Sequence, residues 1–120
     1  MRVKADEVIF DVVYKYIQKF NVKDWRRVEA LVRWLFITKC DDKEVEVAMV
    51  AERDLDVLRF LVEWELGNGK DIKVNIGGRK EIKFRKCKIH NIDVKDFKTY
   101  DGDALSITVG MTHSGVEVKD

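Results

Sequence analysis

The chain has 120 residues, 46% of them hydrophobic and 38% charged, which fits one globular domain with its own core and excludes a disordered or low-complexity segment. Its 23 basic and 22 acidic side chains leave a formal net charge of +1, so bulk charge points neither to nucleic acid nor to a membrane surface. Two cysteines are too few for the disulfide framework of a small secreted domain, the start MRVKADEVIF lacks the apolar core of a signal peptide, and no stretch approaches the roughly 20 apolar residues that span a bilayer.

A cytoplasmic, single-domain product over residues 1–120 is therefore expected. The first predicted element is a helix over 6–20. Ile9, Val12, Val13, Tyr16, Ile17 and Phe20 recur at spacings of three and four, and Asp6 and Glu7 favour the helix dipole at its start. Asp24 has the side chain of an N-cap for a second helix to about Val32, with Val28, Leu31, Val32 and Leu35 as its apolar stripe.

From Trp34 the pattern changes. Trp34-Leu35-Phe36-Ile37-Thr38 is rich in strand formers, Asp41-Asp42-Lys43 reads as a turn, and Val45, Val47 and Met49 alternate with Glu44 and Glu46. A hairpin over 34–50 is expected. Residues 54–66 read as a helix with a core stripe of Leu55, Leu58, Leu61, Val62 and Leu66, broadened by Val57, Phe60 and Trp64. Gly67 stands where a left-handed residue commonly ends a helix. The Trp64 ring is expected in the core.

The remainder reads as β. Ile72, Val74 and Ile76 alternate, and Gly77-Gly78 supplies positive φ for a tight hairpin to a return strand over 81–89. The apolar phase slips between Phe84 and Cys87, which predicts a bulge near Arg85-Lys86. Leu105, Ile107, Val109 and Met111 alternate with small residues, His113-Ser114-Gly115 turns the chain, and Val116 and Val118 form a last short strand. The expected class is α+β: an antiparallel sheet or sandwich in the C-terminal half, packed by an N-terminal helical region and the helix 54–66.

No motif carries catalysis or cofactor binding. Cys87-x-x-His90 has the spacing of a metal-ligand pair, and Cys40 and His113 would complete four ligands. No second close pair exists, and Cys87 falls on the apolar phase of a strand, so reduced cysteines with no metal are expected. Ser114 beside His113 lacks the strand–turn–helix elbow of a nucleophile, and Asp101-Gly102-Asp103 lacks the remaining ligands of a calcium loop. Between Lys70 and Lys88 lie eight basic and two acidic residues. That local excess raises an alternative: a small nucleic-acid-binding domain with a basic hairpin at 70–88, contacting phosphates through Lys80, Lys83, Arg85 and Lys86. A helix–turn–helix carrying Arg26, Arg27 and Arg33 belongs to the same alternative.

The order from residue 44 onward is strand, helix ending Phe60-Leu61-Val62-Glu63-Trp64, glycine turn and strands. The stretch Ile82-Lys83-Phe84-Arg85-Lys86-Cys87-Lys88-Ile89-His90-Asn91-Ile92 is followed by the acidic loop Asp101-Gly102-Asp103. The closing segment is Ala104-Leu105-Ser106-Ile107-Thr108-Val109-Gly110-Met111-Thr112. This order, over about 44–118, resembles the tail-tube family of contractile phages and related injection machines. The chain departs from that family at its start, where a helix is expected and the family usually begins with strands. The resemblance implies a non-catalytic structural subunit (tube, terminator or baseplate component) that assembles with itself into a ring or stacked tube. It implies other tail proteins as partners, a virion location after assembly in the host cytoplasm, and no cofactor. The positions first nominated for the assembly interface are Gly77 and Gly78 in the glycine hairpin and Asp101 and Asp103 in the acidic loop.

Overall fold

The computed structural model describes residues 2–4, 17–77, 80–99 and 102–119. Strands account for 66% of it, and one α-helix is present among the described residues. The strands are β1 (Arg2–Val3), β2 (Ile17–Val22), β3 (Val32–Cys40), β4 (Glu44–Glu52), β5 (Lys70–Ile76), β6 (Lys80–Thr99), β7 (Gly102–Thr112) and β8 (Val116–Lys119), with the helix α1 (Leu55–Leu66) between β4 and β5. All pairings are antiparallel, and the sheet curls into a half-barrel. The α+β expectation is thus corrected to a mainly β fold.

The correction comes from the N-terminal third. Ile17–Val22, expected to close a helix, is a strand on the edge of β5, where Phe20 faces Val74 and Val22 faces Ile72. Apolar residues three apart fit a helix face equally well, but β5 offers an unpaired edge whose backbone groups β2 satisfies. The rest of the expected helix, residues 6–16, lies outside the described residues. The second helix is replaced by two short 3-10 turns, Trp25–Arg27 and Glu29–Leu31. Asp24 has φ 67° there and its side chain caps nothing, so the chain turns sharply where an N-cap would have been extended. Trp25 is buried by that turn and packs edge-on against Phe20 at 4.8 Å and Phe60 at 6.0 Å.

The helix α1 forms close to the expected 54–66, with the Asp54 carboxylate accepting the Asp56 amide at 2.8 Å. Its buried face is a correction: Leu55, Val62 and Leu66 of the expected stripe are exposed, and the sheet instead meets Val57, Phe60, Leu61 and Trp64, which share one face at spacings of three and four. The helix ends at Gly67, but with φ −97° the glycine is extended rather than left-handed. It is small for another reason: a Cβ there would lie 3.1 Å from the Glu63 carbonyl oxygen. Trp64 is buried, and its indole N–H donates to the Cys87 carbonyl at 2.9 Å, tying helix to sheet.

β6 organises the sheet. Its 20 residues would extend about 66 Å if straight. The molecule's longest dimension is 41 Å, so the strand must bend. It does so near Arg85-Lys86, where the bulge was expected: Lys86 has φ 50°, and the β5 register slips between Lys70 and Ile72. β7 and β8 follow the same bend opposite. Phe84 pairs with Val116 and Lys88 with Thr112, and between them the Arg85 amide donates to the Gly115 carbonyl while the Ser114 amide donates to the Arg85 carbonyl. β6 and β7–β8 are therefore one long bent ribbon. Its first half carries β5 and β2 on one side and β1 on the other. Its second half continues through β7, β4 and β3 as a four-stranded layer. The core lies between these parts and α1, around Ile37, Val47, Phe60, Leu61, Ile72, Ile82, Phe84, Ile107 and Met111.

Candidate assembly surface

The four-stranded layer β6–β7–β4–β3 has one face in the core. Ile37, Val47, Val109 and Ile92 form one inward row across it, and Leu35, Met49, Ile107 and Val94 form the next. Alternation places Trp34, Val50, Ser106 and Lys95 on the opposite face, followed by Phe36, Ala48, Thr108 and Asp93. An outer face open to water is normally polar. Here it is polar along β7 and β6 and at the end where Thr38 donates to Glu46 at 2.9 Å, and apolar only on β3 and β4 at the other end, where Trp34 is 53% and Phe36 58% exposed.

Both edges of this layer are open among the described residues. β3 pairs with β4 only, and from Lys88 to Thr99 β6 pairs with β7 only. Each edge thus presents backbone amides and carbonyls on one side. Among the described residues, the exposed large apolar side chains fall into two groups: Leu55, Val62 and Leu66 on α1, and Trp34, Phe36, Val94 and Phe97 on these two edges. The charges nearby are largely paired. Arg33 grips Glu52 through two bonds at 2.9 and 3.1 Å, Arg53 pairs with Asp96, Lys39 with Glu44 and Lys95 with Asp93.

The residues nominated from sequence are not brought together. Gly77 lies in the β5–β6 turn with φ 65°, whereas Asp103 is exposed beside the β6–β7 turn and pairs in register with Lys98. These turns are at opposite ends of β6. Gly78 and Asp101 lie outside the described residues. The basic hairpin does form, but its cations have carboxylate neighbours. Lys83 stands 3.6 Å from Asp71 and 3.8 Å from Glu117, and Arg85 bonds Glu117 at 3.2 Å. Lys80 also has an interaction partner, and Lys86 points outward from the bulge with its amide donated to Asp71. A phosphate would compete with Asp71 and Glu117 for Lys83 and Arg85. The helix–turn–helix reading loses its recognition helix, since Arg26 and Arg27 occupy a 3-10 turn and Arg33 is in β3.

Both cysteines and His113 are buried in the fold, whereas His90 is not. Burial pushes both thiols, Cys40 and Cys87, up to about 12. His90 is exposed on β6, 3.9 Å from Glu44. His113 is buried, with Nε2 2.7 Å from the Asp41 carbonyl and Nδ1 accepting the Gly115 amide at 3.1 Å. Both of its ring nitrogens are used, and Ser114 Oγ donates to the Arg85 carbonyl instead, so the pair is no dyad. No cluster of three or more metal-ligating side chains occurs among the described residues.

Sequence reading found β3 and β4 but missed their exposed side. A signal was present: along β4 the outward residues change from Glu44 and Glu46 to Ala48 and Val50, losing the polar partners a solvent face would have.

The fold and this surface define a mainly β domain with an open-edged, partly apolar four-stranded layer. No family model, curated protein or solved structure matches the chain. Among the described residues, no helix is long and apolar enough to cross a membrane.

Proposed function

We propose that this chain is a non-catalytic structural subunit that assembles with copies of itself by joining the two open edges of its four-stranded layer. The single observation that carries this is that β3 and the second half of β6 both lack a strand neighbour on their outer side among the described residues. Unpaired edges are a template for another chain unless they are covered or blunted. Strand directions alternate across the layer, so β3 runs opposite to β6. A β3 edge meeting the β6 edge of a second copy in head-to-tail fashion is therefore antiparallel, and the same contact repeats with each added copy. Contacts of this kind close into rings when the rotation permits.

The resemblance of 44–118 to the contractile tail-tube family supplies the finer reading: a ring or stacked tube within a phage-like tail, located in the virion and touching other tail proteins. The nucleic-acid alternative is less well supported, because Lys83 and Arg85 already have carboxylate partners.

Light scattering and negative-stain microscopy on the pure protein test this reading, followed by a DNA titration at several salt concentrations. Rings or tubes that retain no DNA are expected. A monomer whose DNA affinity falls steeply with salt would reject assembly in favour of phosphate contacts.

A further inference from the structure

We infer that Asn68-Gly69, in the loop between α1 and β5, is a site of spontaneous covalent modification: the Gly69 amide nitrogen attacks the Asn68 side chain, ammonia leaves, and position 68 becomes aspartate or isoaspartate.

The chain has four asparagines, Asn21, Asn68, Asn75 and Asn91, and their surroundings differ. Asn21, Asn75 and Asn91 lie in β2, β5 and β6, and Val22, Ile76 and Ile92 follow them. A strand holds the main chain extended, and its ladder bonds fix the peptide planes that cyclisation must turn. The β-branched side chain after each of these asparagines also crowds the nitrogen that would attack. Asn68 differs on each count. It is exposed, it stands outside helix and strand, and Gly69 puts no side chain beside the attacking nitrogen. Among the described residues, no hydrogen bond or ion pair holds the Asn68 side chain, and no backbone hydrogen bond holds the Gly69 amide.

The step balances with water as its co-reactant. Base takes the proton from the Gly69 nitrogen, and a bond forms between that nitrogen and Asn68 Cγ. The Cγ–Nδ2 bond breaks, and the leaving nitrogen takes up a proton and departs as ammonia. The five-membered succinimide then adds water. Attack at Cγ restores the ordinary main chain with an aspartate side chain. Attack at the main-chain carbonyl carbon of residue 68 leaves the chain running through Cβ and Cγ, which is isoaspartate with one extra methylene in the backbone.

The fold gives this modification a consequence. Helix α1 ends just before it, at Leu66, and its last turn carries Glu63 and Glu65 and no basic residue. A new carboxylate there meets the negative end of the helix dipole. The formal net charge falls from +1 to zero. Gly69 also packs so closely on β6 that a Cβ on it would lie 2.8 Å from the Lys86 carbonyl oxygen. An extra methylene between residue 68 and Gly69 shifts Gly69 against this contact, beside the bend of β6. Isoaspartate therefore loosens the α1–β5 loop more than aspartate does.

Peptide mapping tests this on the wild-type protein. The folded chain is incubated at pH 8 and digested with trypsin, and the peptide Phe60–Lys70 is followed by mass spectrometry, with the peptides holding Asn21, Asn75 and Asn91 as internal controls. The expected result is a mass gain in Phe60–Lys70 that grows with time, matching replacement of NH by O. It should appear an order of magnitude faster than at the other three asparagines, with isoaspartate detected by isoaspartyl methyltransferase labelling. Asn68→Gln should abolish it, because the larger ring that glutamine must form closes far more slowly. Ion exchange separates the isoaspartate-bearing fraction, whose urea midpoint should lie below that of Asn68→Asp, which in turn should lie below wild type. A folded protein that gains no mass while the urea-unfolded chain does would show that the fold keeps Asn68 from the Gly69 amide, and it overturns the inference. Absence of the gain in both states overturns it too, and equal rates at all four asparagines overturn the role given to the loop. An isoaspartate fraction as stable as wild type overturns the consequence for the bend.

Discussion

Replacing Trp64 with alanine tests how the helix is joined to the sheet. Trp64 is only 2% exposed and touches Phe60 edge-on at 6.0 Å, with the Lys70 ammonium 5.7 Å from its ring centre. Truncating a buried tryptophan costs about 3–5 kcal/mol through lost burial and the cavity left behind. The same change orphans the Cys87 carbonyl, which accepts the indole N–H at 2.9 Å. A buried carbonyl left unpaired costs about 1–3 kcal/mol, part of which the larger figure already contains. With a urea slope of about 2 kcal/mol per M, the denaturation midpoint should fall by roughly 2 M. Trp64→Phe separates the terms, because it keeps most of the apolar volume and removes only the donor, so it should cost less than half as much. The assay is urea unfolding followed by far-UV circular dichroism, which does not depend on the indole signal being deleted. An unchanged midpoint in Trp64→Ala would falsify the packing argument. A phenylalanine variant as damaged as the alanine one would show that the hydrogen bond dominates.

Other outcomes follow from the bend and the thiols. Gly69→Ala should destabilise by roughly 1–3 kcal/mol, because its Cβ would lie 2.8 Å from the carbonyl oxygen and 2.9 Å from the carbonyl carbon of Lys86, backbone atoms with nowhere to give; a wild-type melting curve would show that the bend relaxes freely. Cys40 and Cys87 should resist alkylation at pH 8 in the folded protein and react once it is unfolded, since burial raises both thiols to about 12, and labelling followed by mass spectrometry decides this. Their pKa is raised on folding, so their contribution to stability is fully present below the unfolded thiol's ordinary value near 9 and is lost as pH climbs from there toward 12; an alkaline titration in which Cys87→Ala loses stability as steeply as wild type above pH 9 would contradict that. Asp41 runs the opposite way. Its carboxylate accepts the Lys43 and Glu44 amides at 2.9 and 2.7 Å, which lowers its pKa, so its contribution is present above the unfolded value near 3.8 and is lost as pH falls through the lower folded value. Asp41→Asn should flatten the acid limb of the stability curve, and an acid limb identical to wild type would remove Asp41 as a cause.

Several features were legible because their signals are local. The helix at Leu55–Leu66 carries its cap at Asp54 and its stop at Gly67, and the alternation of Val45, Val47 and Met49 admits little but a half-buried strand. The slip of apolar phase at Arg85-Lys86 marked the bend, since a bulge changes which face the next residue takes. What the sequence determined by itself was therefore whatever a dozen neighbouring residues can decide through spacing, capping and turn chemistry. Tertiary structure decided the rest. Ile17 and Phe20 fit a helix as well as a strand, and only the unpaired edge of β5 selects the strand, because its amides and carbonyls need partners that lie far away in sequence. The exposure of Trp34 and Phe36 was equally hidden. Alternation shows that two faces differ, but the face that meets the core is set by α1 and the other strands, and it left the aromatic pair on the outside. The basic run at 70–88 shows the same limit for charge. In sequence it is a cluster of cations, and only the arrival of Glu117 from β8 beside Lys83 and Arg85 turns it into a set of ion pairs.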